Sequence, residues 1–265
     1  MNNAAEIGDR TPWSSELEEL HEESSRNHFL DVATRVAILD SLGEPPAGSR
    51  ILDIGCSSGY LLEDLCALRD KPSAVGLDYV FAGLRVAQKN LATVPLLQGD
   101  ACRLPFADST IDAIVSANLL EHVPSDVEAL EEMRRVLKPG SRAVLVVPAG
   151  GGLYDYYDHF LHHQRRYGRS ELPTKAVAAG LEVVDQFYLG WLIYPMFWFV
   201  KKRNRIFRGR ISAQEARRQV EKNISASSNS RLGQRAQQVE THLRSMGLSA
   251  PFGIRQAVTV RRPAA

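Results

Sequence analysis

The chain has 265 residues, 44% of them hydrophobic, which is enough to bury a full core as one elaborated domain. Its 32 basic and 31 acidic residues leave a formal charge of +1, so no global field draws the protein to nucleic acid and any electrostatic preference is local. Cys56, Cys66 and Cys102 are odd in number and lack metal-ligand spacing, which argues against a disulfide framework or a zinc site and for a reducing, cytoplasmic setting.

The first thirty residues are polar and carry Glu16, Glu18, Glu19, Glu22 and Glu23, unlike a secretory leader. No run reaches the roughly 18 apolar residues of a membrane span. Residues 13–42 read as two helices, the second with Phe29, Leu30, Val32, Ala33, Val36, Ala37 and Leu39 on a broad apolar face, stopped by Gly43 and Pro45-Pro46. Short apolar runs then alternate with helical segments, the pattern of βαβ units and a parallel sheet. Strands are expected at 50–54, 74–77, 95–98, 111–117 and 142–147, with helices at 59–69, 82–92 and 125–137 between them. A polar segment rich in His and Arg follows Pro148, then a helix at 170–179, a sixth strand at 181–189 and a last strand at 256–261. About sixty residues separate these last two strands, far more than an ordinary connection. This insertion runs from FYLGWLIYPMFWFV through KKRNRIFRGR, a helix at 212–222 and the turn SASSNS to a helix at 231–246.

The most informative segment is ILDIGCSSGYLL, a buried strand followed by a loop of small residues that opens a helix. Gly55 and Gly59 allow the backbone to approach a ligand closely, at a helix N-terminus with unpaired N–H groups. Asp78 ends the next strand about twenty residues on, where a carboxylate can accept from ribose hydroxyls. The dinucleotide spacing G-x-G-x-x-G fails, because Ser57 and Tyr60 stand where its second and third glycines belong. An adenosine-type ligand is therefore expected without a pyrophosphate.

Four segments in order, LDIGCSSG, VGLDY, GDACRLPF and IDAIVSANLLEHVPS with EEMRRVLKPGSRAVLVVP, span about residues 49–148 and carry a resemblance. The sequence resembles the class I S-adenosylmethionine-dependent methyltransferases, in particular the methyltransferase type 11 group. Ser57 departs from the usual D-x-G-x-G-x-G loop. The resemblance implies a Rossmann-like, seven-stranded, mostly parallel α/β sheet with N-terminal helices and a helical insertion between the last two strands. The expected division is an N-terminal helical cap at 1–45, a methyltransferase domain at 46–189 and 253–265, and the aromatic and basic insertion at 190–252.

The resemblance also implies S-adenosyl-L-methionine as cofactor. Asp53, Gly55, Cys56, Ser57 and Gly59 would surround its methionine part, and Asp78 would hold the ribose with Tyr79 near the adenine. Asp100, Ala101 and Cys102 would meet the adenine, and Asn118 and Leu119 would lie under the sulfonium. Physically, three carboxylates, Asp53, Asp78 and Asp100, suit a cationic ligand better than a pyrophosphate. Cys56 and Cys102 also read as inert small core groups. For His122, in LEHV, a capping or core-polar role stands beside acceptor contact.

Acceptor-side candidates lie in YDYYDHFLHHQRRYGRSEL, a mixture too polar for a core helix. It resembles a D-x-x-x-G-H-x-R-R-Y pattern of one type 11 branch, with His162 in place of the glycine. His163 is the expected base, oriented by Asp158, and His159, Arg165, Arg166 and Tyr167 with His122 are expected to contact the acceptor. The competing reading is a solvated, salt-bridged loop. A metal site from His159, His162 and His163 is not expected, because two of them are adjacent and no other cluster supplies ligands.

Within the insertion, the aromatics from Trp191 to Phe199 precede Lys201, Lys202, Arg203, Arg205, Arg208 and Arg210. That order suits a peripheral contact at 187–210 with an anionic membrane or lipid-linked acceptor. Packing on the sheet or across a homodimer interface, with the basic run solvated, is the alternative. The leading functional expectation is O-methylation of a small polar acceptor such as a sugar, glycan precursor or specialised metabolite. C- or O-methylation of a lipid or quinone is the second, and a non-catalytic cofactor-binding protein the third. Nucleic acid is not an expected partner, since Asn118 opens NLLE rather than an N-P-P-Y-like tetrad.

Overall fold

In a computed structural model, residues 26–206, 218 and 230–264 are described. The first expected N-terminal helix and nearly all of the helix at 212–222 lie outside these residues. Helix α1 (Phe29–Leu42) precedes β1 (Arg50–Ile54), α2 (Tyr60–Cys66), β2 (Ser73–Asp78), α3 (Phe81–Asn90) and β3 (Leu96–Gln98). Next come β4 (Ile111–Ala117), α4 (Asp126–Val136), β5 (Leu137–Pro148), α5 (Tyr156–Phe160), α6 (Glu171–Ala178) and β6 (Glu182–Leu189). The insertion contributes α7 (Tyr194–Ile206) and α8 (Arg231–Ser245) before β7 (Arg255–Arg261) closes the sheet.

The seven strands lie in the order β3-β2-β1-β4-β5-β7-β6. β7 runs antiparallel to both β5 and β6, whereas the pairings from β3 through β5 are parallel. The central strands are buried on both faces, which is why Ile51, Leu52, Ile54 and Val144 to Val147 read as continuous apolar runs instead of alternating. β1 and β4 neighbour each other but connect outward in opposite directions, so their C-terminal ends frame a crevice of the kind where open α/β sheets bind ligands.

β5 begins at Leu137, five residues before the expected strand. Its start pairs with Ile111 across a register shift, so the Lys138-Pro139-Gly140 segment belongs to the strand instead of a loop. The broad apolar face expected of α1 is narrower: Leu30, Ala33, Ala37 and Ile38 are buried, whereas Val32 and Val36 are exposed. α8 covers this helix. An alanine-like Cβ at Gly233 would lie 2.7 Å from a ring carbon of Phe29, so the absent side chain is what lets the helices meet. Arg244 pairs with Asp40, and buried Glu240 accepts from the N–H groups of Gly190 and Leu192, fixing the turn from β6 into the insertion.

Candidate active site

The loop after β1 is held by its neighbours. Gly55 N donates to Leu77 O at 2.8 Å, and Ser57 N donates to Asp78 Oδ2 at 2.8 Å. Asp78 Oδ1 accepts from Val80 N at 2.8 Å, so one carboxylate ties the β1 and β2 tips together. Gly59 caps α2 at φ +83°, and a Cβ there would stand 2.9 Å from that of Ala87 on α3. Only glycine satisfies both the left-handed backbone and that approach. Ser57, at φ 45°, takes a left-handed conformation with a side chain present, so the serine departure from the glycine pattern keeps the loop's course.

A cavity of about 690 Å³ opens over these strand tips, within the range of small-molecule sites. Of the expected cofactor residues, Gly55, Ser57, Asp78, Tyr79, Asn118 and Leu119 line it. Asp53, Cys56, Gly59, Asp100, Ala101 and Cys102 are not among the described residues of its wall. Cys56 is buried over Gly76, where a Cβ would meet its sulfur at 2.8 Å. Asp100 turns one oxygen to the Cys102 N–H at 2.8 Å, and burial with the nearby Asp100 charge pushes the Cys102 thiol up to about 12, so it is no nucleophile.

Asp53 is 1% exposed and its Oδ2 has no hydrogen-bond partner among the described residues. Burial, reinforced by the neighbouring Asp78, raises its carboxyl to about 8. A carboxyl buried in this way favours its protonated, neutral form. The Asp78 carboxyl on the cavity wall is of the sign that suits the sulfonium and ammonium charges of S-adenosylmethionine, and the wall residues fit that cofactor.

Across the cavity from this loop the segment after β5 folds into a buried ionic cluster. Asp155 caps α5 by accepting from Tyr157 N, and Asp158 returns a bond from Asp155 N. Lys201, only 5% exposed, places Nζ 2.7 Å from both Asp155 Oδ1 and Asp158 Oδ2, and Asn204 donates to Asp155 Oδ2. Arg166 Nε donates to Asp158 Oδ1 at 2.6 Å, and the same oxygen is 3.0 Å from His163 Nδ1. Burial alone would raise the Asp158 carboxyl; His163, Arg166 and Lys201 outweigh it and hold the group far below the usual carboxylate range. Burial lowers the His163 imidazole despite Asp158, leaving a neutral ring whose Nδ1 faces the carboxylate.

His163, Arg166 and His122 line the cavity, but three other residues expected at the acceptor do not. Tyr167 is wholly buried, its hydroxyl bonded to Leu120 O and to Asp126 Oδ2 at 2.8 Å, because it packs between β5 and α4. Arg165 pairs with Asp126 at 3.0 Å and donates to Pro124 O. His159 is exposed on the other side of α5. Their places in the pattern serve packing and loop closure.

Lys201 departs from the expected solvated or lipid-facing basic run, since it is buried against Asp155 and Asp158. Ile193 just before α7, and Met196, Phe197, Val200, Lys201, Arg203 and Asn204 on it, line the cavity, as helical spacing allows, while Trp198 and Phe199 are exposed on the outside. Phe29, Leu30, Leu232 and Ile254 complete an apolar wall. Sequence reasoning gave Lys201 and Glu121 no part in the site and placed Asp155 only within the polar segment after Pro148. Asp155 and Lys201 are far apart in the chain and meet only through the fold. Glu121, wholly buried, lines the cavity beside His122 and was visible only as part of LEHV. Burial raises its carboxyl to about 8 against the opposing influence of its own backbone N–H, Arg255 and Arg166.

The sheet order and the loop at the β1 and β2 tips define the Rossmann-like fold of the class I S-adenosylmethionine-dependent methyltransferases. Residues 52–145 match the methyltransferase domain family, and they form a domain of the type 11 group within that class. A demethylmenaquinone methyltransferase of Beutenbergia cavernae is 35% identical over 116 residues, 44% of this chain and 47% of that protein. One from Staphylococcus carnosus is 38% identical over 101 residues, 37% of this chain and 42% of that protein. The chain thus spans less than half the length of these relatives. Phosphoethanolamine N-methyltransferase 2 of Haemonchus contortus, solved with S-adenosyl-L-methionine, shares the fold with a TM-score of 0.65 at 17% identity, over 99% of this chain and 60% of its own.

Proposed function

We propose that the protein transfers a methyl group from S-adenosylmethionine to an acceptor with an apolar body and an ionisable oxygen, a lipid or quinone, methylated at oxygen or carbon. The observation that carries this reading is the cavity itself, in which an apolar wall from Phe29, Leu30, Ile193, Phe197, Val200 and Ile254 meets His163 next to the cofactor loop. A sugar or glycan would leave that wall unmatched, since burying hydroxyls against it without partners is costly. The demethylmenaquinone methyltransferases among the relatives support the same direction.

Bound cofactor supplies an electrophilic methyl on sulfur; the chain's residues do the rest. The loop from Gly55 to Gly59 and Asp78 orient the donor, and the wall orients the acceptor, so that positioning provides much of the acceleration. Asp158 fixes the His163 ring, and its other nitrogen accepts the proton that the acceptor oxygen loses. A non-catalytic role fits poorly with intact Gly55, Gly59 and Asp78 at the loop. Contact with a membrane surface through the outer face of α7 belongs to the same proposal, and no described helix is long and apolar enough to cross a membrane.

Labelled S-adenosylmethionine offered with demethylated isoprenoid quinols, phenolic lipids and nucleotide sugars tests the reading. Label in a quinol or phenolic lipid is expected. Label in the sugars alone would overturn the apolar acceptor, and failure to bind the cofactor at all would overturn the enzyme.

A further inference from the structure

We infer that Glu121, His122 and His163 together form a site for one divalent transition-metal cation at the acceptor end of the cavity. Each offers a ligand atom, and the three atoms lie within 4.8 Å of one another. Two imidazoles and a carboxylate are a donor set suited to zinc, manganese, iron(II), cobalt or nickel rather than to magnesium or calcium.

Three features set this group apart from a chance cluster. First, Glu121 is fully buried, and neither of its carboxyl oxygens has a hydrogen-bond partner in another residue. A cation would supply what that carboxylate lacks. Second, the His163 ring is already steered, with Nδ1 3.0 Å from Asp158 Oδ1, while Arg166 and Lys201 hold Asp158 in turn. A carboxylate behind an imidazole is the usual outer support of a metal-bound histidine. Third, the two stretches that carry the ligands are bolted together: Gln164 N donates to Glu121 O at 2.8 Å, and Gln164 Nε2 to His122 O at 2.9 Å. The two rings stand edge to face with centroids 4.8 Å apart.

Bonds of about 2.1 Å to an ion hold ligand atoms roughly 3–3.5 Å apart, so the three side chains close inward by an ångström or so on binding. Three protein ligands leave positions open toward the cavity, where an acceptor oxygen can bind and lose its proton more readily. The inference rests on reading this cavity as the acceptor's site. It gives His163 the part of a ligand, its lone pair held by the ion, in place of the free base; the acceptor's proton then passes to solvent as the new bond to carbon forms and the bond to sulfur breaks.

The test uses the full chain, stripped with chelator, titrated with Co²⁺ by visible absorption and with Zn²⁺ by calorimetry, with S-adenosylmethionine affinity measured on the same samples. One ion per chain is expected, with Glu121→Gln, His122→Ala and His163→Ala each weakening it by at least about tenfold and Asp158→Asn weakening it by about tenfold. Cofactor affinity unchanged in the variants certifies their folding. Cofactor binding without stoichiometric metal uptake, or uptake undiminished in Glu121→Gln and His163→Ala, overturns the metal site and leaves the methyltransferase reading standing. Loss of cofactor binding by the unmodified chain overturns that reading instead.

Discussion

Lys201 Nζ lies 2.7 Å from Asp158 Oδ2, which joins helix α7 of the insertion to the carboxylate that orients His163. The contact explains why an element inserted between the last two strands matters at the cofactor end of the sheet. Lys201→Met keeps the length of the side chain and removes its charge, leaving Asp155 and Asp158 buried with fewer partners. Breaking one side of a buried pair costs about 3–5 kcal/mol, a fall in Tm of about 10 °C for a domain of this size. Turnover should drop with it, while S-adenosylmethionine binding to the folded protein stays within a few-fold. A Tm within a degree or two of the unmodified protein would mean that the cluster does not hold the insertion.

Asp78→Asn isolates the loop at the strand tips. The carboxylate accepts from Ser57 N and Val80 N, and an amide would turn an NH₂ toward one of these donors. Losing a charge-assisted bond of this kind costs about 1.5–3 kcal/mol, so calorimetry should find S-adenosylmethionine affinity lower by about 10- to 100-fold. Equal affinity in the variant would remove Asp78 from the cofactor site.

Asp53 makes a pH-dependent prediction. Its carboxyl, raised to about 8 by burial and by Asp78, holds a proton in the folded state that the unfolded chain releases near its ordinary value of 3.8. Between those values the folded state binds more protons, so this group's contribution lowers stability as pH rises from about 4 to about 8. Asp53→Asn should flatten the fall in denaturant midpoint over that window when both proteins are free of cofactor. Parallel pH profiles would show that Asp53 ionises normally.

The central strands were legible because Ile51 to Ile54, Ile111 to Ala117 and Ala143 to Val147 are largely buried, and such strands advertise themselves as apolar runs. The cofactor loop was legible for a related reason: Gly55 and Gly59 occupy backbone conformations that other residues avoid, so local sequence reports local geometry. The acceptor side was less so. Tyr167 and Arg165 look like ligands for an acceptor in a polar stretch, yet both are drawn to Asp126, forty residues earlier. Lys201 belongs to a run of basic residues, and nothing local marks it as the one that pairs with Asp155 and Asp158. Glu121 follows an apolar run in which a buried carboxylate has no sequence mark of its own. Long-range pairing of charge is what the chain leaves unsaid.

The outer face of α7 supports the last prediction. Phe199 is 64% exposed and Trp198 is 45% exposed, neither lining the cavity, and Lys202 and Arg205 follow on the same helix outside the cavity wall. Large apolar groups beside basic ones suit an anionic bilayer surface, where the rings enter the acyl boundary and the cations meet headgroups. Such a surface is where an acceptor with an apolar body would be collected and passed to the inner face of the same helix. Each ring gives about 1.5–3 kcal/mol when buried, so Trp198→Ser with Phe199→Ser should weaken binding to vesicles of anionic phospholipid by about 100-fold or more. Cofactor affinity should not change, because neither residue lines the cavity. Flotation with vesicles of neutral and anionic composition checks this: binding that is absent in the unmodified protein, or equal in the double variant, rules out the outer face of α7 as a membrane contact.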